Sequence, residues 1–117
     1  MENPRIGKAK VFIAVEIIEH IPNSVPIKTI IKKTTGIVSV VSFDSGETLS
    51  EKTTPFDCFM QAHEGEAEVM IDGESNLLNT LQFIIIPTHS PNVIKANVTF
   101  KMISSIIKSS YEKLSLD

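Results

Sequence analysis

The side chains with chemical potential in this chain are few and scattered. Cys58 is the single cysteine, and Asp57 and Phe59 flank it. A carboxylate and an aromatic ring beside a thiol disfavour the thiolate, so Cys58 reads as a buried, inert sulfur rather than a nucleophile. Lys52 could form a Schiff base or act as a general base if desolvated, but Glu51 lies next to it, which favours a solvated or ion-paired lysine. His20, His63 and His89 have no metal-ligand spacing among themselves. His89 stands between Pro87 and Pro91 on a turn, where an imidazole could serve as acid, base or ligand. Glu64, Glu66 and Glu68 alternate as a solvated strand face would. No nucleophile triad, phosphate loop or dinucleotide fingerprint is present.

The elements that must position these groups are short apolar segments rich in Ile and Val, punctuated by Gly, Pro, Asn and Asp. The pattern predicts strands over 10–14, 27–32, 37–43, 47–51, 57–63, 66–71, 76–78, 82–86, 92–96 and 100–107. Evenly spaced short strands between turns imply an all-β sandwich or barrel rather than alternating βα units. Between Val11 and Ile21 the pattern also fits a helical face, and the reading is a strand that ends in one helical turn at 15–19, stopped by Pro22. Two alternating segments meet at Glu64 and Gly65, and the second runs into Asp72 and Gly73, so two successive reversals are expected, the first a hairpin.

With 117 residues, 42% of them hydrophobic, the chain can bury one modest core. A net charge of −3 with scattered lysines gives no basic patch for nucleic acid. One cysteine excludes an internal disulfide and suits a reducing compartment. The N-terminal residues lack the apolar run of a signal peptide, and no stretch approaches the roughly 18 apolar residues of a membrane span. A cytoplasmic protein without membrane contact is the expectation.

The segment EGEAEVMIDG (64–73), preceded by TTPFD and followed by a strand and the turn PTHSPN (87–92), resembles a small single-domain cupin over residues 25–108. The resemblance implies an all-β, cupin-type jelly-roll barrel (a double-stranded β-helix), with residues 1–24 as an N-terminal strand or arm and 109–117 as a C-terminal tail. In that family a first motif supplies two histidines and a glutamate, and a second supplies a third histidine, to one divalent metal. Here Lys52 and Thr54 stand at the first two histidine positions, Cys58 at the glutamate and Asn92 at the third histidine. An ammonium has no lone pair to donate, and a hydroxyl and an amide are poor substitutes for imidazole, so the resemblance implies a barrel without the family's metal site and no cofactor. Leu81 replaces the glycine expected before the second motif's strand, which predicts a turn built differently.

If Thr54 and Cys58 point inward as the family's ligands would, strand alternation puts Met60 and Ala62 with them, and Phe59, Gln61 and His63 on the other face. The same rule sends Asn92, Ile94 and Ala96 inward from the opposite wall. Such an interior suits a small-ligand site equally as well as a filled barrel. The expected ligand-binding set is Lys52, Thr54, Cys58, His89 and Asn92 at the barrel mouth, where Lys52 would favour an anionic metabolite. Two function classes follow: a metal-free small-molecule binding protein, or a cupin enzyme of isomerase, decarboxylase or dioxygenase type with a rearranged site. The apolar segments 11–18 and 100–108 exceed what one small barrel can bury, so at least one is expected in a two-fold interface of a homodimer.

Overall fold

The computed structural model describes residues 6–51 and 55–108. Strands run at Ile27–Lys33 (β1), Gly36–Phe43 (β2), Thr48–Glu51 (β3), Cys58–Glu64 (β4), Ala67–Ile71 (β5), Glu74–Leu78 (β6), Phe83–Ile86 (β7), Asn92–Ala96 (β8) and Phe100–Ile107 (β9). They form two antiparallel sheets, β1-β2-β9-β4-β7 and β3-β8-β5-β6, packed face to face as a jelly roll. Each expected strand from 27 onward is present within two residues of its predicted bounds. The core is what alternation delivers: Val41 and Phe43, Cys58, Met60 and Ala62, and Phe100 and Met102 from one sheet meet Ala67, Val69, Leu78, Ile94 and Ala96 from the other. Phe43 and Phe100, both fully buried, pack edge to face with centroids 5.5 Å apart. Such a pair adds about 1 kcal/mol to the burial of its area.

Three expectations differ from the structure. Residues 10–14 form no strand, and the short helix is a 3-10 turn at Ala14–Glu16, ending well before Pro22. The reversal at Gly65 is not a hairpin, because β4 pairs with β7 and β9 while β5 pairs with β6 and β8. The chain crosses there from one sheet to the other. Consequently Glu64 ends β4 and Glu66 lies in the crossing, so Glu64, Glu66 and Glu68 do not share a strand face. Only the second reversal is a hairpin, with Asp72 at φ 51° and Gly73 at φ 83°, the doubly left-handed turn that twisted antiparallel strands favour. The turn before β7 keeps the left-handed backbone with a non-glycine residue: Leu81 has φ 73° and donates its N–H to Ala62 O at 2.8 Å. Gln82 braces it by accepting the Asn79 N–H at 2.9 Å.

Residues 6–24 form an arm that lies on the outer face of the five-stranded sheet, where the 3-10 turn contacts β4 and β9. Ile18 is buried there, as is Val40 of β2. Lys101, 8% exposed, donates to Val15 O and Ile18 O, both at 2.7 Å, and so anchors the arm through two otherwise open carbonyls. At the arm's end Asp44 accepts the N–H groups of Asn23 and Ser45, which hold its carboxyl below the usual carboxylate range. A depressed carboxylate pKa contributes stability above the unfolded-state value and loses it as pH falls through the folded one, so this tether weakens in acid.

Gly65 sets the geometry of the crossing. Its φ is +78°, and a Cβ there would sit 2.1 Å from Thr99 O. Gly65→Ala is expected to destabilise the fold by about 3 kcal/mol or more, combining left-handed strain with displacement of the Thr99 backbone. Chemical denaturation of the purified variant measures this, and a midpoint equal to wild type would refute the close approach.

Candidate functional site

The two halves of the expected site come from opposite walls of the barrel. Cys58 opens β4 and Asn92 opens β8, and both side chains point inward and are buried, at 5% and 4% exposure. Met60, Ala62, Ile94 and Ala96 share those faces, as the alternation requires. Phe59 turns outward instead and stacks on Phe83 of β7, with centroids 5.0 Å apart. The loop 87–91 is bound to the first motif by Asp57, whose Oδ1 accepts the Thr88 N–H at 2.9 Å. His89 occupies that loop in a left-handed conformation, φ 60°, with its side chain exposed. Lys52 and Thr54 lie outside the described residues.

Among the described residues, the polar side chains Cys58, Ser104 and Asn92 gather at the end of the barrel where β4 and β8 begin. Cys58 Sγ lies 3.3 Å from Ser104 Oγ, an inward residue of β9. Asn92 Nδ2 donates to Ser90 O at 3.4 Å, and Ser90 is itself buried. Asn92 Oδ1 is buried with no hydrogen-bond partner among the described residues. A depression of about 340 Å³ near the start of β8 lies on the outer face of the four-stranded sheet, lined by the paired Ser50, Met70 and Val93 and by Asp72, Gly73 and Pro91, and so does not open onto the Asn92 side chain. The middle of the barrel, by contrast, is filled by Phe43, Ile86, Ile94, Phe100 and Met102, each at most 1% exposed.

The family's metal chemistry finds a poor donor set here. Among the described residues no three His, Cys, Asp or Glu side chains group closely enough to hold a metal ion. Among the described residues the inward donors are a thiol beside a serine hydroxyl and a carboxamide, in place of a carboxylate and an imidazole, and with Lys52 and Thr54 at the other two positions such a donor set does not fit the family's divalent ion.

Another polar cluster, on the outer face, was not legible in the sequence. Ser42 Oγ bonds His20 Nδ1 at 2.9 Å, and His20 Nε2 bonds Glu64 Oε2 at 2.7 Å. The chain of groups has the composition of a hydrolytic triad, but Ser42 is fully buried under the arm and no substrate atom can reach its hydroxyl. It works as a clasp holding the arm to β2 and β4. Register places Ser42 and Glu64 both opposite Lys101, so one polar row crosses three strands beneath the arm. The irregularity between Ala62 and Glu64, which inserts His63 as an extra residue in β4, brings Glu64 into that row. His63 is half-buried, and its Nε2 has no partner among the described residues. The sequence signal for this clasp is weak because its members lie 22 and 44 residues apart.

Among solved structures, the chain is similar to a conserved protein of unknown function from Streptococcus pyogenes, with TM-score 0.85 and 23% identity over 94% of this chain and 96% of that one. It is likewise similar to a cupin superfamily protein from Desulfitobacterium hafniense, with TM-score 0.83 and 21% identity over 93% of this chain and all of that one. An RmlC-like cupin from Shewanella frigidimarina matches at TM-score 0.69 and 16% identity over 83% and 86% of the two chains. No protein-family model matches, and no curated protein matches. The fold is that of the cupins. It is a small jelly-roll barrel with almost no helix, like those solved structures. No helix among the described residues is long and apolar enough to cross a membrane.

An unsatisfied carbonyl oxygen in a dry interior costs about 1–3 kcal/mol, whereas a hydrocarbon of similar volume carries no such penalty. Asn92→Leu is therefore expected to raise stability by about 1 kcal/mol, the loss of the long bond to Ser90 offsetting part of the gain. Thermal and denaturant unfolding would report it, and a fall in stability would mean that Asn92 Oδ1 is satisfied in solution.

Proposed function

We propose that the protein is a metal-free small-molecule binding protein whose site is the barrel mouth framed by Lys52, Thr54, Cys58, His89 and Asn92. The observation that carries this reading is the buried Oδ1 of Asn92, which has no hydrogen-bond partner among the described residues and lies at the end of the barrel that also holds Cys58 and Ser104. A binding site keeps such an atom at a cost to stability because the ligand supplies the missing partner. Since Oδ1 is an acceptor, that partner must be a donor: a hydroxyl, an amide N–H or an amine. Lys52, from the first motif, supplies positive charge for a carboxylate or phosphate. The ligand that satisfies both is a small hydroxylated anion, such as a hydroxy acid. The filled centre of the barrel limits its depth, so it binds at the mouth and not along the barrel axis.

A thermal-shift and calorimetric screen of hydroxy acids, sugar acids and their non-hydroxylated analogues tests this. The expected result is preference for the hydroxylated acids, a loss of about tenfold in affinity in Lys52→Met, and a similar loss in Asn92→Leu despite its higher stability. Binding indifferent to both substitutions would overturn the assignment. Turnover of the bound acid without added metal, lost in the same variants, would move the protein into the enzyme class.

The protein is also proposed to act as a homodimer. Of the two apolar segments singled out in the sequence, 100–108 supplies the centre strand of its sheet at Phe100–Ile107, which leaves it little free surface beyond Ile107. Val11 and Ile13 of the arm are exposed, at 98% and 58%, but β7 joins apolar exposure to an open ladder: it is a sheet edge, and its Phe83 and Ile85 are 58% and 53% exposed. An edge that presents open backbone groups together with apolar side chains is the surface a two-fold copy can cover on both counts. Sedimentation equilibrium at micromolar concentration is expected to give a dimer, and Phe83→Asp a folded monomer. A monomeric wild type would refute it.

A further inference from the structure

The irregularity in β1 creates a second concavity, remote from the barrel mouth. The register of β1 against β2 shifts between Thr29 and Ile31, so Ile30 is an extra residue. A bulge of this kind turns adjacent side chains toward the same face, which breaks the alternation and lets Ile30 and Ile31 present a continuous apolar floor. The arm passes over this floor and leaves a groove of about 520 Å³, to which Phe12 adds an aromatic wall. Lys8 and Lys10 of the arm and Lys32 and Lys33 of the strand all line it, and no acidic residue among the described ones does. Four of the chain's eleven lysine and arginine residues thus gather at one groove of a protein whose net charge is −3.

We infer that this groove is a binding site for a single-chain amphipathic anion, a fatty acyl group ending in a carboxylate. The apolar floor matches the hydrocarbon, and ammonium groups on both banks match the head group. An acyl chain fits better than a compact anion because inorganic phosphate would leave the Ile30–Ile31 floor wet. It fits better than an aliphatic cation because no carboxylate among the described residues of the groove could pair with one. The groove on the other side of Ile6 and Phe12 sets the contrast: Glu16 and Glu19 line it together with Lys28, so the preference for anions is confined to the first. The site lies at β1, the edge of the sheet opposite to β7, and an interface through β7 leaves it open.

The test uses the full chain and dodecanoate below its micellar concentration, by isothermal titration, with dodecyltrimethylammonium and acetate as controls. Dodecanoate is expected to bind at one site per chain, with neither control binding. The double change Lys10→Glu and Lys32→Glu, at two exposed positions, should weaken it by about tenfold or more, and Ile31→Asn by a smaller factor, while Asn92→Leu leaves it unchanged. The inference is overturned if the cationic amphiphile binds as well, if charge reversal has no effect, or if Asn92→Leu removes binding, which would place the acyl chain at the barrel mouth. Binding to phosphatidylglycerol vesicles with none to monomeric dodecanoate would also overturn it in favour of a membrane surface. The double variant's unfolding midpoint, expected to match wild type, separates loss of the site from loss of the fold.

Discussion

The crossing at Gly65 is the constraint on which the rest of this structure depends. β4 belongs to one sheet and β5 to the other, and the chain passes between them with its backbone against Thr99 O, closer than any side chain permits. That passage faces Met60 and Ala62 toward Val69 and Ala67 across the barrel, so the interior exists only because the two walls are joined so tightly. The small residues at this end, Ala62, Ala67 and Ala96, are all fully buried and follow from the same proximity. The barrel is closed and dry where the crossing lies and polar where β4 and β8 begin.

The outer face carries a second level of organisation. Ser42, Glu64 and Lys101 occupy neighbouring positions on three strands, and the arm satisfies each of them through its carbonyls and His20. Buried charge is tolerable only when paired and hydrogen-bonded, and breaking one partner of such a set costs more than the set contributes as a whole. The arm is therefore an integral layer of the fold, and its exposed residues Val11 and Ile13 reach solvent from a fixed base. Two independent surfaces result, a charged groove at β1 and an apolar edge at β7.

Strand positions were legible from residue 27 onward because each strand buries one face, and burial with a period of two leaves a clear mark on Val, Ile and Phe. The inward direction of Cys58, Met60, Asn92 and Ile94 was legible for the same reason. Sheet membership was not: a glycine turn between two alternating segments looks the same whether the chain doubles back or crosses to another layer, and only the partners of β4 and β5 distinguish the two. The arm misled because its apolar residues cover a sheet face without joining a ladder, so no periodicity is imposed on them. The anchoring role of Lys101 leaves no mark in the sequence, since its carbonyl partners lie more than eighty residues away. Leu81 was expected to change its turn, yet Asn79 and Gln82 hold the left-handed backbone in place without a glycine.

The place of β9 has a consequence for how this chain reaches its native state. Residues 100–107 pair with 36–43 on one side and with 58–64 on the other, and the large sheet has no centre without them. During synthesis the first sixty or so residues therefore emerge with exposed apolar strands and nothing to complete their ladder. Loop-closure entropy must be overcome before any of these distant pairings forms, which points to folding in milliseconds to seconds, late and in one cooperative step. A nascent chain stalled before Phe100 would be a substrate for chaperones, whereas one extended past Ile107 could close its barrel at once.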